Sequence, residues 1–325
     1  MGSGSQDIIN KALINILDPG DAILVETPVY AGVIPMFTSL GLKVVPVPTD
    51  GEGIDADELE RILAGWKEEE GKKPKVLYTV PYGCNPTGMT ATLPRRLKVL
   101  QLSRKHDFLI LEDDPYFYLY FGERPRPPSY FSLDNPQDQA WDGNRVLRFD
   151  SLSKILSSGI RIGWLTGPPA LVTAIERHTS TANLQTPTLT QSIIHKLLDR
   201  WGYEGFLEHT RRVSAFYRKK RDVFDEALVR HFGSSGEGGK ARWVRPEAGM
   251  FYWFRMEGIE DASVFVRQRA FEEGVLALPG DAFLPSPGPK SPYVRAAFSI
   301  PTDEEIDLAL GRLRSAYDAF VSSQA

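Results

Sequence analysis

Ser151-Leu152-Ser153-Lys154-Ile155-Leu156-Ser157-Ser158-Gly159-Ile160-Arg161 is the stretch on which the reading of this 325-residue chain turns. It gathers an amine, several hydroxyls and a guanidinium in one short loop, with Arg161 seven residues beyond Lys154. A lysine amine forms a Schiff base with the aldehyde of pyridoxal 5'-phosphate, and hydroxyls beside a guanidinium suit the phosphate dianion of that cofactor. Taken alone, the same string also reads as a solvated basic turn after a strand, so its neighbours must decide.

Outward from the loop, apolar runs at 146–149 and 162–166 flank it as strands. Further strands are expected at 22–25, 44–47, 76–80 and 108–111, with helices between them at 54–66, 94–105 and 169–178. Strands alternating with helices predict an α/β domain with a mostly parallel sheet, and continuous apolar character predicts strands covered on both faces. A polar-apolar helical pattern at 203–232 ends in Gly233-Ser234-Ser235-Gly236, a stop signal. It is expected to connect a large domain, 1–202, to a smaller α+β domain, 233–325. Strands are predicted there at 243–244, 250–256, 275–278 and 293–298, and helices at 262–273 and 302–320, the last opened by a Thr302/Glu305 capping box.

Composition narrows the function classes. With 42% hydrophobic residues the chain can bury a sizeable core, and a formal net charge of -4 leaves no basic footprint for nucleic acid. No apolar run approaches the ~20 residues that span a bilayer. The lone cysteine, Cys84, excludes an intramolecular disulfide framework, and five scattered histidines predict no metal site.

Three further segments bear on chemistry. Asp113-Asp114-Pro115-Tyr116 follows a predicted strand, so its side chains leave the carboxyl end, where open α/β sheets bind ligands. A carboxylate there can keep a pyridine nitrogen protonated, with Tyr116 donating to the ring oxygen; an acidic turn capped by proline is the plainer alternative. Pro81-Tyr82-Gly83-Cys84-Asn85-Pro86-Thr87-Gly88 follows another strand and turns the Asn85 amide toward the same place. Gly4-Ser5-Gln6 opens a helix with Ile8, Ile9, Ala12, Leu13 and Ile16 on its apolar positions. Its free amides make Ser5 and Gln6 phosphate candidates, or Ser5 a plain N-cap. Tyr30 can stack on a planar ring or lie in the core. Arg295, among apolar and small neighbours, needs an anion: a substrate carboxylate or a structural ion pair.

Together these strings resemble the fold-type I pyridoxal-phosphate aminotransferases of class I/II, most closely the kynurenine/2-aminoadipate and fungal aromatic enzymes. The resemblance rests on Tyr78-Thr79-Val80-Pro81 through Gly88, Glu112 to Tyr116, Ser151 to Gly163, Ala248-Gly249-Met250-Phe251 and Arg295-Ala296-Ala297-Phe298. It implies Lys154 as the Schiff-base lysine, with Asp113, Tyr116 and Asn85 around the ring and Tyr30 stacked on it. It further implies Ser5, Gln6, Ser151, Ser153 and Arg161 around the phosphate, and Arg295 with Asn85 at the substrate carboxylate. Asp113, not Asp114, stands three residues before Tyr116, the spacing of the family.

The expected activity is ping-pong transfer of an amino group from an aromatic, kynurenine-like or 2-aminoadipate-like amino acid to a 2-oxo acid, 2-oxoglutarate by family likeness. A homodimer is expected, in the cytoplasm or, should a targeting segment precede the chain, in mitochondria. The family carries on the order of a hundred residues ahead of its Gly-Ser-Gln segment, so the chain reads as amino-terminally truncated, with Ser5 and Gln6 near an end prone to fray. Three rivals stay open: another pyridoxal-phosphate reaction on the same scaffold, such as β-elimination or cyclic amino acid synthesis, a non-catalytic cofactor-binding effector module, and an inactive truncated form.

Overall fold

The structure, a computed structural model, describes residues 1–135, 143–236 and 238–323. Among these, seven strands form one sheet: β1 (Ala22–Thr27), β2 (Lys43–Asp50), β3 (Gly53–Ile54), β4 (Val76–Thr79), β5 (Leu109–Asp113), β6 (Val146–Ser151) and β7 (Gly163–Thr166), in the order β3-β2-β1-β4-β5-β6-β7. Pairing is parallel from β2 through β6 and antiparallel only at the two edges. The α/β expectation therefore holds. The chain winds outward from β1 to β3 and then, from β4, in the opposite direction, so the switch point lies between β1 and β4. At such a point the connections leave to opposite sides and open a crevice beyond the carboxyl ends of the strands.

Residues of β4 and β6 are buried throughout, as continuous apolar runs require when helices cover both faces. Strand β2 departs from that expectation: Lys43, Pro46 and Pro48 are exposed, because its outer neighbour β3 is only two residues long. The helix foreseen at 54–66 starts later, at Ala56–Ala64, since Ile54 is taken by β3 and the Asp55 side chain caps Asp57 and Glu58.

A second, antiparallel sheet runs β10-β11-β9-β8, with β8 Ala241–Trp243, β9 Phe251–Met256, β10 Leu278–Pro279 and β11 Tyr293–Ala297. Of the strand foreseen at 275–278 only Leu278 pairs, because Gly274 turns the chain at φ 77° and Val275 drops into the core instead. The helix foreseen at 262–273 is a short α turn, Ala262–Val264, followed by wider π winding over Phe265–Ala270. Thr302 and Glu305 form the expected capping box at the start of Asp303–Ser322.

The helix foreseen at 203–232 is the second leg of a longer element, Thr188–Phe232, which breaks at Gly202 (φ 59°, ψ −173°). Glycine alone holds that conformation cheaply, so the chain changes direction where the sequence pattern begins the helix. The amino-terminal end is tied, against the expectation of fraying. Gly2 and Gly163 exchange backbone hydrogen bonds of 3.0 and 3.2 Å, and Arg161 donates to the Ser3 carbonyl at 3.0 Å.

Candidate active site

The carboxyl ends of β1, β4, β5 and β6, the start of the helix Ser5–Ile16 and the turn ahead of β7 bring residues singled out from the sequence to one cavity of ≈ 190 Å³. Ser5, Gln6, Tyr30, Asn85, Asp113, Tyr116, Ser151, Ser153, Lys154 and Arg161 all line it, with Val80, Pro115 and Phe251. Arg295, half-buried, stands beside the cavity against two of its lining residues, Asn85 and Phe251.

One end of the cavity is built to take an anion. The helix Ser5–Ile16 starts with Gly4 as N-cap, so Ser5 is its first helical residue and not the cap foreseen as an alternative. The first amides of the helix are free of intrahelical partners and carry the positive end of its dipole. Beside them, Arg161 donates to Ser153 Oγ at 3.1 Å, to the Ser158 carbonyl at 3.1 Å and to the Ser3 carbonyl. Gly4 makes this approach possible: at φ 92° it is strained for any L side chain, and a Cβ there would lie 2.3 Å from Arg161 Nη2. Gln6 bridges Gly32 and Tyr30, donating to the Gly32 carbonyl at 3.1 Å and accepting from the Tyr30 hydroxyl at 3.2 Å.

Asp113 ends β5, fully inside the protein. One oxygen accepts from the Tyr78 hydroxyl at 2.6 Å, while Oδ1 is buried without a hydrogen-bond partner. Burial pushes its pKa up to about 6, against the pull of Tyr78 and of Lys154. Its neighbour Asp114 lies elsewhere, 2.8 Å from Arg148, whose guanidinium also chelates Asp150 at 3.0 and 2.9 Å. Two adjacent carboxyls thus do different work: Asp113 faces the cavity, and Asp114, its pKa raised well above the usual range by burial, packs against a buried arginine that Asp150 chelates. Glu112, the acid before them, is also structural, accepting from the Tyr130 and Phe131 amides at 2.8 and 3.0 Å.

Lys154 sits in the tight turn after β6, where its amine pKa is lowered, first by burial and then by the positive charge of Arg161. A lowered pKa leaves more free amine near neutrality, the form that attacks a carbonyl. Tyr116 packs edge-on against Phe251, and burial raises its phenol pKa, so it stays a donor.

Arg295, on β11, donates to Asn85 Oδ1 at 2.9 Å and lies over the rings of Phe251 and Phe283, at 4.4 and 5.0 Å. Its Nε is buried without a partner, and burial lowers its pKa with no carboxylate opposing. Among the described residues the structural ion pair considered from sequence does not form. Tyr78 and Phe251 are site residues to which the sequence reading gave no individual role. Tyr78 lay inside a quoted motif, and its place one pleat from the carboxyl end of β4 was the available signal.

The family model "Aminotransferase class I and II" matches residues 1–313, and the chain belongs to that family; it is an aminotransferase. It is 42% identical over 315 residues to the mitochondrial kynurenine/alpha-aminoadipate aminotransferase of Bos taurus, covering 95% of this chain and 71% of that protein. It is 39% identical to the aminotransferase tdiD of Emericella nidulans, covering 98% of this chain and 72% of that protein. Among solved structures, the Pyrococcus horikoshii kynurenine aminotransferase in complex with PMP superposes with a TM-score of 0.87 at 32% identity, covering 98% of this chain and 74% of that one. The alpha-aminoadipate aminotransferase LysN from Thermus thermophilus, complexed with N-(5'-phosphopyridoxyl)-L-leucine, also gives 0.87 at 32%, covering 100% and 77%. The family and these phosphopyridoxyl-bearing neighbours imply pyridoxal phosphate.

Proposed function

We propose that Lys154 carries pyridoxal 5'-phosphate and that the chain moves an amino group between an aromatic, kynurenine-like or 2-aminoadipate-like amino acid and a 2-oxo acid, 2-oxoglutarate being the expected acceptor. The observation that carries this reading is Asp113: a buried carboxylate with one oxygen unpartnered, in the same cavity as a lysine whose amine pKa is lowered. An unmet buried acceptor of that kind is costly unless a donor arrives, and a pyridinium N–H is such a donor. The opposite requirement, a cradle for a dianion, is supplied by Arg161, Ser5, Ser151, Ser153 and the helix start beside them.

Bound there, the cofactor supplies an aldehyde that condenses with amines and a ring that accepts the electrons of the substrate Cα–H bond. The rest falls to the protein. Asp113 would hold a proton on the ring nitrogen, Tyr116 and Asn85 would donate toward the ring oxygen, and Tyr30 would pack against the ring. Arg295, with a free Nε and a neutral partner in Asn85, takes the substrate carboxylate and so fixes the Cα–H bond. With the cofactor bound, the Lys154 amine would serve as general base toward the substrate Cα proton. We further propose a homodimer, supported by the exposed apolar residues Leu184, Leu189 and Ile193 close together in the chain.

Borohydride reduction of cofactor-loaded protein followed by peptide mapping tests the lysine, and Lys154 is the expected tag. A tag on another lysine, with Lys154→Ala still reducible, overturns the assignment. A panel of amino acids, followed by loss of the cofactor's visible band, identifies the donor class. A sedimentation profile showing only monomer overturns the dimer.

A further inference from the structure

We infer that Glu26, a residue outside the cavity, is a positioning residue for substrate-carboxylate recognition, holding the loop that carries Asn85 and, through Asn85, the guanidinium of Arg295. This rests on the reading that Arg295 takes the carboxylate.

Glu26 lies at the switch point. The parallel register of β1 and β4 runs through Leu24 with Leu77 and Val25 with Tyr78, and there the two strands separate. The Glu26 side chain spans the gap that follows. Its Oε1 accepts from the Val80 amide at 2.7 Å, and its Oε2 accepts from Thr79 Oγ1 at 2.7 Å. A third donor, the Cys84 thiol, reaches Oε1 at 3.3 Å from inside the following loop. Glu26 is completely buried, and Cys84 with it. A side chain has thus replaced the backbone ladder at the point where the ladder would keep the strands from opening the crevice.

The loop so held is also closed by its own backbone and anchored at its ends by Arg96, while the Glu26–Cys84 contact is the one that reaches the residue next to Asn85 from β1. Cys84 precedes Asn85 directly, and its amide and carbonyl close the turn with Met89 and Gly88 at 2.9 and 2.6 Å. On its far side Asn85 Oδ1 accepts from Arg295 Nη1 at 2.9 Å. The chain of contacts runs from Glu26 to Cys84, then by one peptide unit to Asn85, then to Arg295. Burying a carboxyl costs free energy that an apolar residue at this place would not incur. The three donors it collects, two of them backbone or thiol groups of the loop and its root, are what the acid does there. A glutamine would keep the function: its carbonyl accepts from Val80 and Cys84, and its amide donates to Thr79 Oγ1. A methionine of similar length would fill the space and replace neither acceptor.

The test is calorimetric binding of 3-phenylpropionate, a carboxylate without an amine, to the cofactor-loaded full chain. Glu26→Met is expected to weaken binding about tenfold, from a misplaced Asn85–Arg295 pair, and Glu26→Gln to stay within about twofold of wild type. In an Asn85→Ala background the Met substitution should change binding by less than about twofold, because residues acting through one another are not additive. In cofactor-free protein the lone cysteine reports on the loop directly: Ellman's reagent should find Cys84 protected in wild type and Glu26→Gln and reactive in Glu26→Met. Unchanged binding in Glu26→Met, or the same loss with and without Asn85, overturns the inference. Should Glu26→Met fail to fold, Cys84→Ala decides: weaker binding that disappears in the Asn85→Ala background supports the link, and unaltered binding overturns it. Arg295→Lys separates the two layers. If it leaves binding unchanged, the carboxylate reading falls and this inference with it; if it weakens binding while the Glu26 series has no effect, only the positioning role falls.

Discussion

Glu26→Gln should stabilise the cofactor-free protein at alkaline pH and lose that advantage in acid. Burial lifts the Glu26 pKa from 4.5 to about 7, and the nearby negative charge of Asp113 adds to the lift, while Thr79, Val80 and Cys84 oppose it. A folded-state pKa above the unfolded one means that the native protein holds a proton the unfolded chain has released. The contribution of Glu26 to stability is therefore highest below 4.5, falls as pH rises through the window from 4.5 to about 7, and is constant above it. The full cost above the window is about 3 kcal/mol, at 1.36 kcal/mol per tenfold change in proton affinity. Glutamine removes the titration and keeps the acceptor, so at pH 8 the variant should gain a sizeable part of that, of order 1–3 kcal/mol, and nothing at pH 4.5. Asp113, Tyr78, Cys84 and Tyr130 share the surroundings, and only Asp113, with a pKa pushed up to about 6, titrates in the same window. The assay is thermal melting of both proteins from pH 4.5 to 8.5, read as the difference between them, in which the common titration of Asp113 largely cancels. A difference that does not change with pH, or a variant less stable than wild type at pH 8, would refute the account of Glu26 as an acid held at a cost.

Asp113→Asn should keep the fold and slow Cα-proton transfer by two or more orders of magnitude, measured by deuterium exchange of the substrate. Asp114→Asn should act on the fold instead, losing about 1–3 kcal/mol in denaturant melts, because one buried contact to Arg148 is lost while Asp150 still chelates it. Arg295→Lys keeps the charge but not the planar fork, so KM for the amino acid should rise about tenfold or more with cofactor affinity retained; an unchanged KM would make Arg295 structural. Gly4→Ala should weaken cofactor binding about tenfold in a fluorescence titration, since the added Cβ meets the guanidinium of Arg161; equal affinity would remove Arg161 from the phosphate cradle.

Most of the cavity was legible because its residues follow strands. Asn85, Asp113 and Lys154 stand at or just beyond the carboxyl ends of β4, β5 and β6, and an apolar run followed by polar residues marks such an end without any knowledge of the third dimension. What could not be read depends on pairs distant in the chain. Tyr78 looks like any aromatic in a strand until Asp113, 35 residues on, is placed beside it. Glu26 was hidden for a different reason: the apolar run stops at Val25, so a buried acid just ahead of Pro28 reads as the polar start of a loop. The first leg of the long helix, ahead of Gly202, carries Leu189 and Ile193 at 75% and 56% exposure, so its apolar residues do not gather on one buried face that a periodicity could announce. The 275–278 run failed as a strand because apolar composition states burial, not pairing, and Val275 is buried without a ladder.

The stitching of Arg161 to Ser3, across 158 residues, bears on how the protein is handled. A ligand seated between the Ser5 helix start, the β6–β7 turn and the ends of β4 and β5 touches segments far apart in the chain at once. It finds a home only when the strands between them are in order. The visible absorbance of a bound cofactor is then an assay of topology as much as of chemistry, reporting correct strand order in each preparation before any substrate is added. The same linkage works in the other direction: a ligand that binds only the folded chain adds about 2.7 kcal/mol at a hundredfold excess over its dissociation constant. Supplying the cofactor during expression should therefore raise the yield of folded protein, including the yield of variants that would otherwise be lost before they could be measured.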